Sequence, residues 1–273
     1  MVGAGEKASY EAAGAKGRVV EGGALCASRN AALELAKAEG KWCLQMSDDI
    51  AHVRFYESDE WGDPTDYADA QAARPGGYTK EQFNNKRSRD SRVFGLTVPA
   101  AAKLLKSCAV QAGRKLAGAY PTQNAGFAYA QSPVSQRHFI VGDFIVVDPE
   151  SPCRFDELLG LKEDYDFTAQ HMRAHGGVAR CNRLFVKAAH YDNAGGAVDA
   201  RSVPLEKATI AYLREKWPGI FQDQRRANEV IMKVTDAKMG ANMDTGTPTQ
   251  ACKAKMAGAR AKKKKPKKAE ESS

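Results

Sequence analysis

Asp48 and Asp49 are a pair of adjacent carboxylates that could bind a metal ion or a polar ligand. They follow Ser47 and the short apolar run Trp42–Met46, which predicts a buried strand. Adjacent carboxylates repel one another and lose hydration at a strand end, so the pair indicates a divalent metal ion or a polar ligand. An ordinary solvated turn is the alternative interpretation.

Two later motifs could complete such a site. Glu163 and Asp164 open a predicted helix, where the helix dipole alone already favours acidic side chains. His190 ends a predicted strand, a position where a lone histidine is more often structural than a metal ligand. His171 and His175, inside the helix, are expected on the exposed surface. Because the motifs all lie at strand or helix ends, they can assemble one site from distant parts of the chain.

The elements that must position these motifs alternate between helices and strands. A helix capped by Ser28 and ended by Gly40 precedes the strand Trp42–Met46. Further helices are predicted over Val98–Cys108, Glu163–His175 and Val203–Lys216, and strands over Lys115–Tyr120, His138–Val147, Val178–His190 and Glu229–Val234. Gly142, inside the second of these strands, indicates a bulge or a close backbone approach. The pattern predicts an α/β fold.

Charge divides the chain into a nearly neutral body and a basic end. The 273 residues carry 41 Lys and Arg against 33 Asp and Glu, and residues 251–273 hold nine of the basic and two of the acidic side chains. We therefore expect a loose lead-in over 1–22, one domain over 23–235 with a long polar loop at 57–91, and a disordered Lys-rich tail over 236–273. The tail motif KKKKPKK resembles a nuclear localisation signal and would add salt-sensitive affinity for DNA phosphates.

Composition excludes several classes of protein. The chain has no apolar run long enough to span a membrane and no secretory signal, so we expect an intracellular protein without membrane contact. The six cysteines fall singly, mostly beside apolar residues. That usage is typical of reduced, packed thiols rather than of a disulfide framework or a zinc site.

The order of the motifs resembles that of GT-A glycosyltransferases. The resemblance is carried by the run Ser28-Arg29-Asn30-Ala31-Ala32-Leu33, the strand ending in Ser47-Asp48-Asp49, the Glu163-Asp164 pair and the strand ending in His190. More narrowly, KEDYDFTAQHMRAHGGVARCNRLFVKAAHYDNAGGAV is similar to the TET-associated glycosyltransferase group and to its relatives in the growth-regulation-by-estrogen proteins. The resemblance covers roughly residues 23–235 and implies a GT-A-like mixed sheet flanked by helices. Only 27 residues precede Ser28, so the first strand–helix–strand unit is expected to be shortened or lacking.

The resemblance also implies a role for each site residue. Asp49 and His190 would bind a divalent metal ion, Mn²⁺ or Mg²⁺, and Asp48 would lie near the ribose and the water shell of the metal. Arg29 and Asn30 would lie beside the nucleotide, and Arg201 would reach the diphosphate. Asp164, with Glu163 beside it, would be the base that deprotonates the acceptor hydroxyl. These group types suit the chemistry, since a metal ion stabilises the leaving diphosphate and a carboxylate activates the nucleophile.

The function implied by the resemblance is an inverting, metal-dependent glycosyltransferase that uses a nucleotide sugar, expected to be a UDP-sugar. Its acceptor would be a hydroxymethylated pyrimidine in DNA, such as hydroxymethylcytosine. A DNA acceptor implies a hydroxylating dioxygenase acting upstream and a nuclear location in a eukaryote, or action on viral DNA in an infected cell. Transfer to Ser/Thr of a protein and a degenerate, non-catalytic binding module on chromatin or DNA remain alternatives. A metal-dependent nuclease or phosphatase ranks last.

Overall fold

The computed structural model describes residues 1, 5–14, 17–57, 92–188, 202–224 and 229–261. Its helices are α1 (Lys7–Ala12), α2 (Leu25–Ala38), α3 (Val98–Ala112), α4 (Ala125–Tyr129), α5 (Glu163–His175), α6 (Val203–Lys216) and α7 (Gln250–Ala261). Its strands are β1 (Cys43–Met46), β2 (Ile50–Glu57), β3 (Arg92–Gly95), β4 (Leu116–Tyr120), β5 (Val134–Ser135), β6 (Phe144–Val147), β7 (Ala179–Ala188), β8 (Phe221–Asp223) and β9 (Val230–Met232). Two short 3₁₀ helices, Asp236–Lys238 and Gly240–Asn242, precede α7.

Seven strands form one mixed sheet, which confirms the predicted α/β class. Its order is β1-β6-β4-β7-β2-β3, and β5 pairs with β7 beside this path. Among the strands that the structure describes, β4 and β7 run parallel and the other neighbouring pairs are antiparallel. β8 and β9 form a separate two-stranded sheet.

Helices pack on both faces of the large sheet, and the sequence of β6 explains how. Phe144 and Val146 point into a core cluster that includes α3, whereas Ile145 and Val147 point into the cluster that includes α5 and α6. Because side chains alternate between the two faces of a strand, an unbroken apolar run such as FIVV fits only a strand that is covered on both sides. The predicted sheet flanked by helices is therefore observed.

Local sequence features set the ends of the helices that flank the site. Ser202 accepts a hydrogen bond from the Leu205 amide at 3.3 Å and begins α6, and Gly176 ends α5 in the left-handed conformation. α5 begins differently, because Lys162 at its amino end has a φ of 57° and makes no side-chain cap. A left-handed lysine costs about 1–2 kcal/mol, so the start of α5 is held by its surroundings.

A buried ion pair fixes α5 against α6. Asp166, which is fully buried, accepts hydrogen bonds from the Trp217 indole at 2.7 Å and from Gln170 at 2.7 Å. Lys216 lies 2.9 Å from the same carboxylate. Asp166, the third acidic residue after Glu163 and Asp164, is thus part of the packing between two helices.

The predicted disordered tail is wrong for residues 236–261. α7 packs against α6, and Cys252 and Met256 are buried in the main core cluster. Arg260 donates to the carbonyl oxygens of Glu157 and Leu158 at 2.9 and 3.0 Å. Two buried apolar side chains and one arginine suffice to order a helix whose composition of Ala, Lys and Gly is typical of a linker. Residues 262–273 lie outside the described part of the chain.

Other boundaries differ from the prediction in informative ways. α2 begins at Leu25, so Ser28 lies inside its first turn, where its hydroxyl donates to the Gly23 carbonyl at 3.0 Å. The strand predicted over His138–Val147 is confined to Phe144–Val147. The polar loop predicted over 57–91 begins at Glu57, which is the last residue of strand β2, and residues 58–91 lie outside the described residues. Within the described ranges, no helix has both the length and the apolar character needed to cross a bilayer.

Candidate active site

Three distant segments meet at Gly142, in the turn that precedes β6. The Gly142 carbonyl accepts a hydrogen bond from Arg29 Nη2 of α2 at 3.1 Å, and the Gly142 amide donates to Asp164 Oδ2 of α5 at 3.1 Å. A Cβ at this position would lie 3.1 Å from Arg29 Nη1 and 3.3 Å from Asp164 Cβ. The predicted close backbone approach at Gly142 is therefore confirmed, and the absence of a side chain there lets the arginine and the carboxylate converge.

Arg29 is held in place by an aromatic ring and retains an unused donor. Its guanidinium lies 5.1 Å from the ring centre of Phe155, and that ring stacks on Phe167 of α5 at 3.9 Å. Glu163 Oε1 is 3.9 Å from Arg29 Nη2. Arg29 Nη1 is buried and has no hydrogen-bond partner among the described residues. A buried donor left unpaired on a cation indicates room for an anionic ligand.

Asp164 is the carboxylate whose proton affinity is most relevant to chemistry. Burial raises its pKa to about 7, and the negative charges of Glu163 and Asp143 act in the same direction. The Gly142 amide and Arg29 oppose the shift, since both stabilise the ionised form. A carboxylate with a pKa near the operating pH is suited to accept a proton during a reaction.

The carboxyl end of β1 reaches the same turn. The Ser47 amide donates to the Asp143 carbonyl at 2.9 Å, and the Ser47 hydroxyl lies 3.4 Å from Asp143 Oδ1. The next two residues are Asp48, which is exposed, and Asp49, which is half-buried. The chain therefore brings the predicted metal-binding segment to the turn that carries Gly142, next to Arg29 and Asp164.

Asn30 has a different environment from the one expected for a nucleotide contact. Its amide nitrogen donates to the Phe155 carbonyl at 2.9 Å, and its amide oxygen accepts from the Phe155 amide at 2.8 Å. The side chain also donates to Glu157 at 3.2 Å. Both ends of the Asn30 amide are used within the protein, so the residue positions the loop that supports Arg29.

Two of the predicted site residues cannot be placed against this geometry. His190, expected as the second metal ligand, and Arg201, expected at the diphosphate, lie outside the described residues. The Gly-rich segment between them does as well.

Asp143 was missed by the sequence analysis. It follows Gly142 inside the apolar run HFIVGDFIVV, and a charged residue next to a glycine in such a run was the available indication. Its carboxylate faces Ser47 and contributes to the raised pKa of Asp164. With Asp48, Asp49, Glu163 and Asp164 it adds oxygen donors, the kind that Mn²⁺ and Mg²⁺ prefer, to this end of α5, although in the described part of the chain no three of these carboxylates lie close enough together to share one ion.

A group of side chains at the other end of α5 could hold a metal ion. The possible ligand atoms of Cys153, His171 and His175 all lie within 4.8 Å of one another. His171 has no exposed surface, so the prediction that it lies on the protein surface is wrong. A metal ion is thus compatible with the residues present, but its donors here are nitrogen and sulfur rather than the oxygens that the sequence analysis singled out.

Comparisons of the chain with protein-family models, with curated proteins and with solved structures find no match. Functional inference therefore rests on the residues and their geometry.

Proposed function

We propose that this protein is a metal-dependent glycosyltransferase that moves a sugar from a UDP-sugar to a hydroxyl group, with a hydroxymethylated pyrimidine of DNA as the acceptor. The observation that carries the proposal is the convergence of Arg29, Asp164 and the segment after β1 on the Gly142–Asp143 turn. These residues come from three separate motifs that the resemblance to GT-A enzymes had singled out. Their meeting at one turn supports a common site.

Each described residue has a role that its environment supports. The unpaired Arg29 Nη1 would donate to a phosphate oxygen of the donor and lower the free energy of the developing negative charge. Asp164, with its pKa raised to about 7, would accept the proton of the acceptor hydroxyl as the new glycosidic bond forms. Gly142 fixes the distance between the two groups, because its amide and carbonyl bind both.

The oxygen donors of Asp48 and Asp49 fit a hard divalent cation, with His190 expected as a further ligand. Such an ion, when bound, neutralises charge on the diphosphate leaving group. Asp143 and Glu163 add negative charge beside it, which favours cation binding and raises the pKa of Asp164.

The DNA acceptor is the finer part of the proposal and rests on two features of the sequence. The narrower resemblance is to DNA hydroxymethylpyrimidine glycosyltransferases, and residues 262–268 contain six lysines. Lysines bind DNA phosphates without regard to sequence, which raises the local concentration of the acceptor. A nuclear location and a hydroxylating dioxygenase acting upstream follow from the same proposal.

The direct test combines the full chain, MnCl₂ and a panel of UDP-sugars with duplex DNA containing hydroxymethylcytosine or hydroxymethyluracil. Mass spectrometry of the DNA is expected to show the added mass of one sugar residue per modified base. Asp164→Asn should abolish the added mass. Asp148→Asn is the matched control, since that carboxylate pairs with Lys115 away from the Gly142 turn, and it should leave transfer intact.

Three results would contradict the proposal in different ways. Sugar on a Ser/Thr peptide but not on DNA would reassign the acceptor. Phosphate released from DNA without sugar transfer would indicate a nuclease or phosphatase. No transfer to any acceptor, together with calorimetry that detects no heat on mixing UDP and Mn²⁺ with the wild type, would indicate a non-catalytic binding module.

A further inference from the structure

His171 and His175 lie one helical turn apart on α5, and Cys153 lies against them. Residues four apart in a helix share a face, and the two imidazole ring centres are 5.6 Å apart. Cys153 and His171 are 5% and 0% exposed. Their candidate ligand atoms and that of His175 lie within 4.8 Å of one another. None of these side chains belongs to the site at Gly142.

The tautomer of His171 follows from its partners. Its Nδ1 lies 2.9 Å from the Phe167 carbonyl, which only accepts hydrogen bonds, so Nδ1 carries the proton. The lone pair is then on Nε2, 2.9 Å from the Ser151 hydroxyl. Imidazoles that bind metal ions commonly donate their other ring N–H to a backbone carbonyl, which orients the ring. His171 has that arrangement already.

His175 supplies an independent indication of a ligand. Its Nε2 is buried and makes no hydrogen bond with any part of the chain that the structure describes. A buried ring nitrogen without a hydrogen-bond partner destabilises the folded chain, because contacts with apolar neighbours do not replace the hydrogen bond it makes with water when unfolded. A metal ion held by the neighbouring Cys153 and His171 would satisfy it.

The protonation states suit a transition metal. Burial lowers the pKa of His171 to about 3 and also lowers that of His175, so both rings are neutral at pH 7 and offer a lone pair. Burial raises the pKa of the Cys153 thiol to about 11, so the thiol must release its proton when a metal–sulfur bond forms. Nearby charges include Arg154 beside Cys153 and His171, and Lys115, Arg114 and Asp148 around His175.

We propose that Cys153, His171 and His175 bind one zinc ion, with the fourth position taken by water or by the Ser151 hydroxyl. Sulfur and imidazole donors select zinc over the Mn²⁺ and Mg²⁺ expected at the oxygen-rich end of α5. A tetrahedral zinc ion holds such ligand atoms about 3.3–3.6 Å apart, so side-chain movements of about 1 Å close the group around it. Binding releases the Cys153 proton to solvent and ties the segment before α5 to the last turn of that helix.

The test uses the full chain, freed of metal by dialysis against a chelator under reducing conditions. Titration with ZnCl₂ in competition with a chromophoric chelator is expected to give one zinc ion per chain. His175→Ala should weaken zinc binding by more than about 100-fold, beyond the loss caused by removing an outer-shell partner. His52→Ala, a half-exposed histidine of β2, is the matched control and should bind zinc as the wild type does.

A second measurement does not depend on any variant. CoCl₂ added to the metal-free wild type should produce the absorption band of a cobalt–thiolate bond, and Cys153→Ser should lose that band. The absence of the band in the wild type, or undiminished zinc binding by folded His175→Ala, would overturn the site. Loss of zinc binding in Asp164→Asn would overturn it too, because the ion would then belong to the other end of α5.

Discussion

The two ends of α5 present opposite ligand chemistries on one rigid element. The first turn carries the carboxylates Glu163 and Asp164, and the last two turns carry the imidazoles His171 and His175. Asp164 and His175 are eleven residues apart, or about 16 Å along the helix axis. Carboxylates belong at the positive end of the helix dipole, whereas neutral imidazoles at the other end require burial strong enough to outweigh it. Burial therefore does opposite things at the two ends: it favours a bound proton on Asp164 and disfavours one on His171.

This difference separates the proposed acid–base site at Gly142 from the proposed zinc site at Cys153, His171 and His175. The oxygen donors near Gly142 are partly accessible, since Asp48 is exposed and Asp164 is half-buried. Of the nitrogen and sulfur donors, Cys153 and His171 are buried and His175 is half-buried with its Nε2 atom buried. We infer that the two ends can be disabled independently of one another, and four experiments test that separation.

The largest effect is expected for Asp164→Asn. The amide cannot accept a proton, so sugar transfer should fall by about 10²–10⁴-fold, the usual contribution of a general base. The unfolding temperature and the zinc affinity should be at least as high as those of the wild type. Transfer rates and a zinc titration on the same preparation check this, and a simultaneous loss of zinc binding would show that the two ends are not separate.

A pH titration of stability tests the raised pKa of Asp164. Its folded-state pKa of about 7 exceeds the ordinary value of 3.8, so between these values the folded chain binds more protons at this group than the unfolded chain does. Its contribution to the free energy of unfolding is therefore full below pH 4 and is lost as the pH rises through 7. Denaturant unfolding at several pH values should show this decline in the wild type, and the difference from Asp164→Asn isolates it. An identical pH dependence in both proteins would contradict the shift.

Phe155→Leu tests whether the Phe155 ring, which lies between Arg29 and Phe167, supports the site at the amino end of α5 but not the zinc site at its other end. Loss of the stacked ring should lower the free energy of unfolding by about 1–2 kcal/mol. Arg29 also loses its cation–π contact, so the KM for the donor should rise while zinc affinity stays constant. Phe144→Leu, a fully buried phenylalanine of the other core cluster, should lose similar stability without a change in KM. Equal KM values for the two variants would mean that Phe155 does not position Arg29.

The smallest effect is expected for Lys162→Gly. Glycine adopts the φ of 57° without strain, which should stabilise the folded chain by about 1 kcal/mol. The greater flexibility of glycine in the unfolded chain should offset most of this, so the net gain in stability is small. The first turn of α5 would then be less tightly held, and transfer should fall slightly while zinc binding does not change. Thermal unfolding and initial rates measure both. Lys162→Ala should show no gain in stability, because alanine is strained there as lysine is.

The elements that sequence alone predicted correctly are those whose ends carry capping or helix-breaking residues. The helices Glu163–His175 and Val203–Lys216 were predicted to the residue, because glycine, serine and proline mark their ends. Strand β2 was not predicted, since only Val53 of IAHVRFYE is fully buried and the run lacks a clear apolar alternation. α7 was missed because only Cys252 and Met256 of its twelve residues are buried in the core, too few to produce an apolar stripe.

The candidate sites divide in the same way. Arg29, Glu163 and Asp164 were predicted from motifs, and the structure brings them together. The role of the Gly142–Asp143 turn depends on contacts between distant residues, such as Arg29 and Gly142, which the spacing of motifs cannot supply. The burial of His171 was likewise invisible, since its hydrogen bonds to Ser151 and Phe167 are what make a buried histidine tolerable.

The docking of α7 has a consequence for how a DNA acceptor would be captured. Arg260 bonds to the loop that also holds Asn30, so the chain leaves the fold beside α2 and its Arg29. Residues 262–268, six of them lysine, follow directly after α7 and can span at most about 25 Å. If the acceptor is DNA, as proposed, strands bound by these lysines would be held near the Gly142 turn, and tethering raises effective concentration without adding sequence preference. Salt should accordingly raise the apparent KM for DNA while leaving kcat nearly constant, because the lysines would bind the DNA backbone non-specifically and would not take part in the reaction.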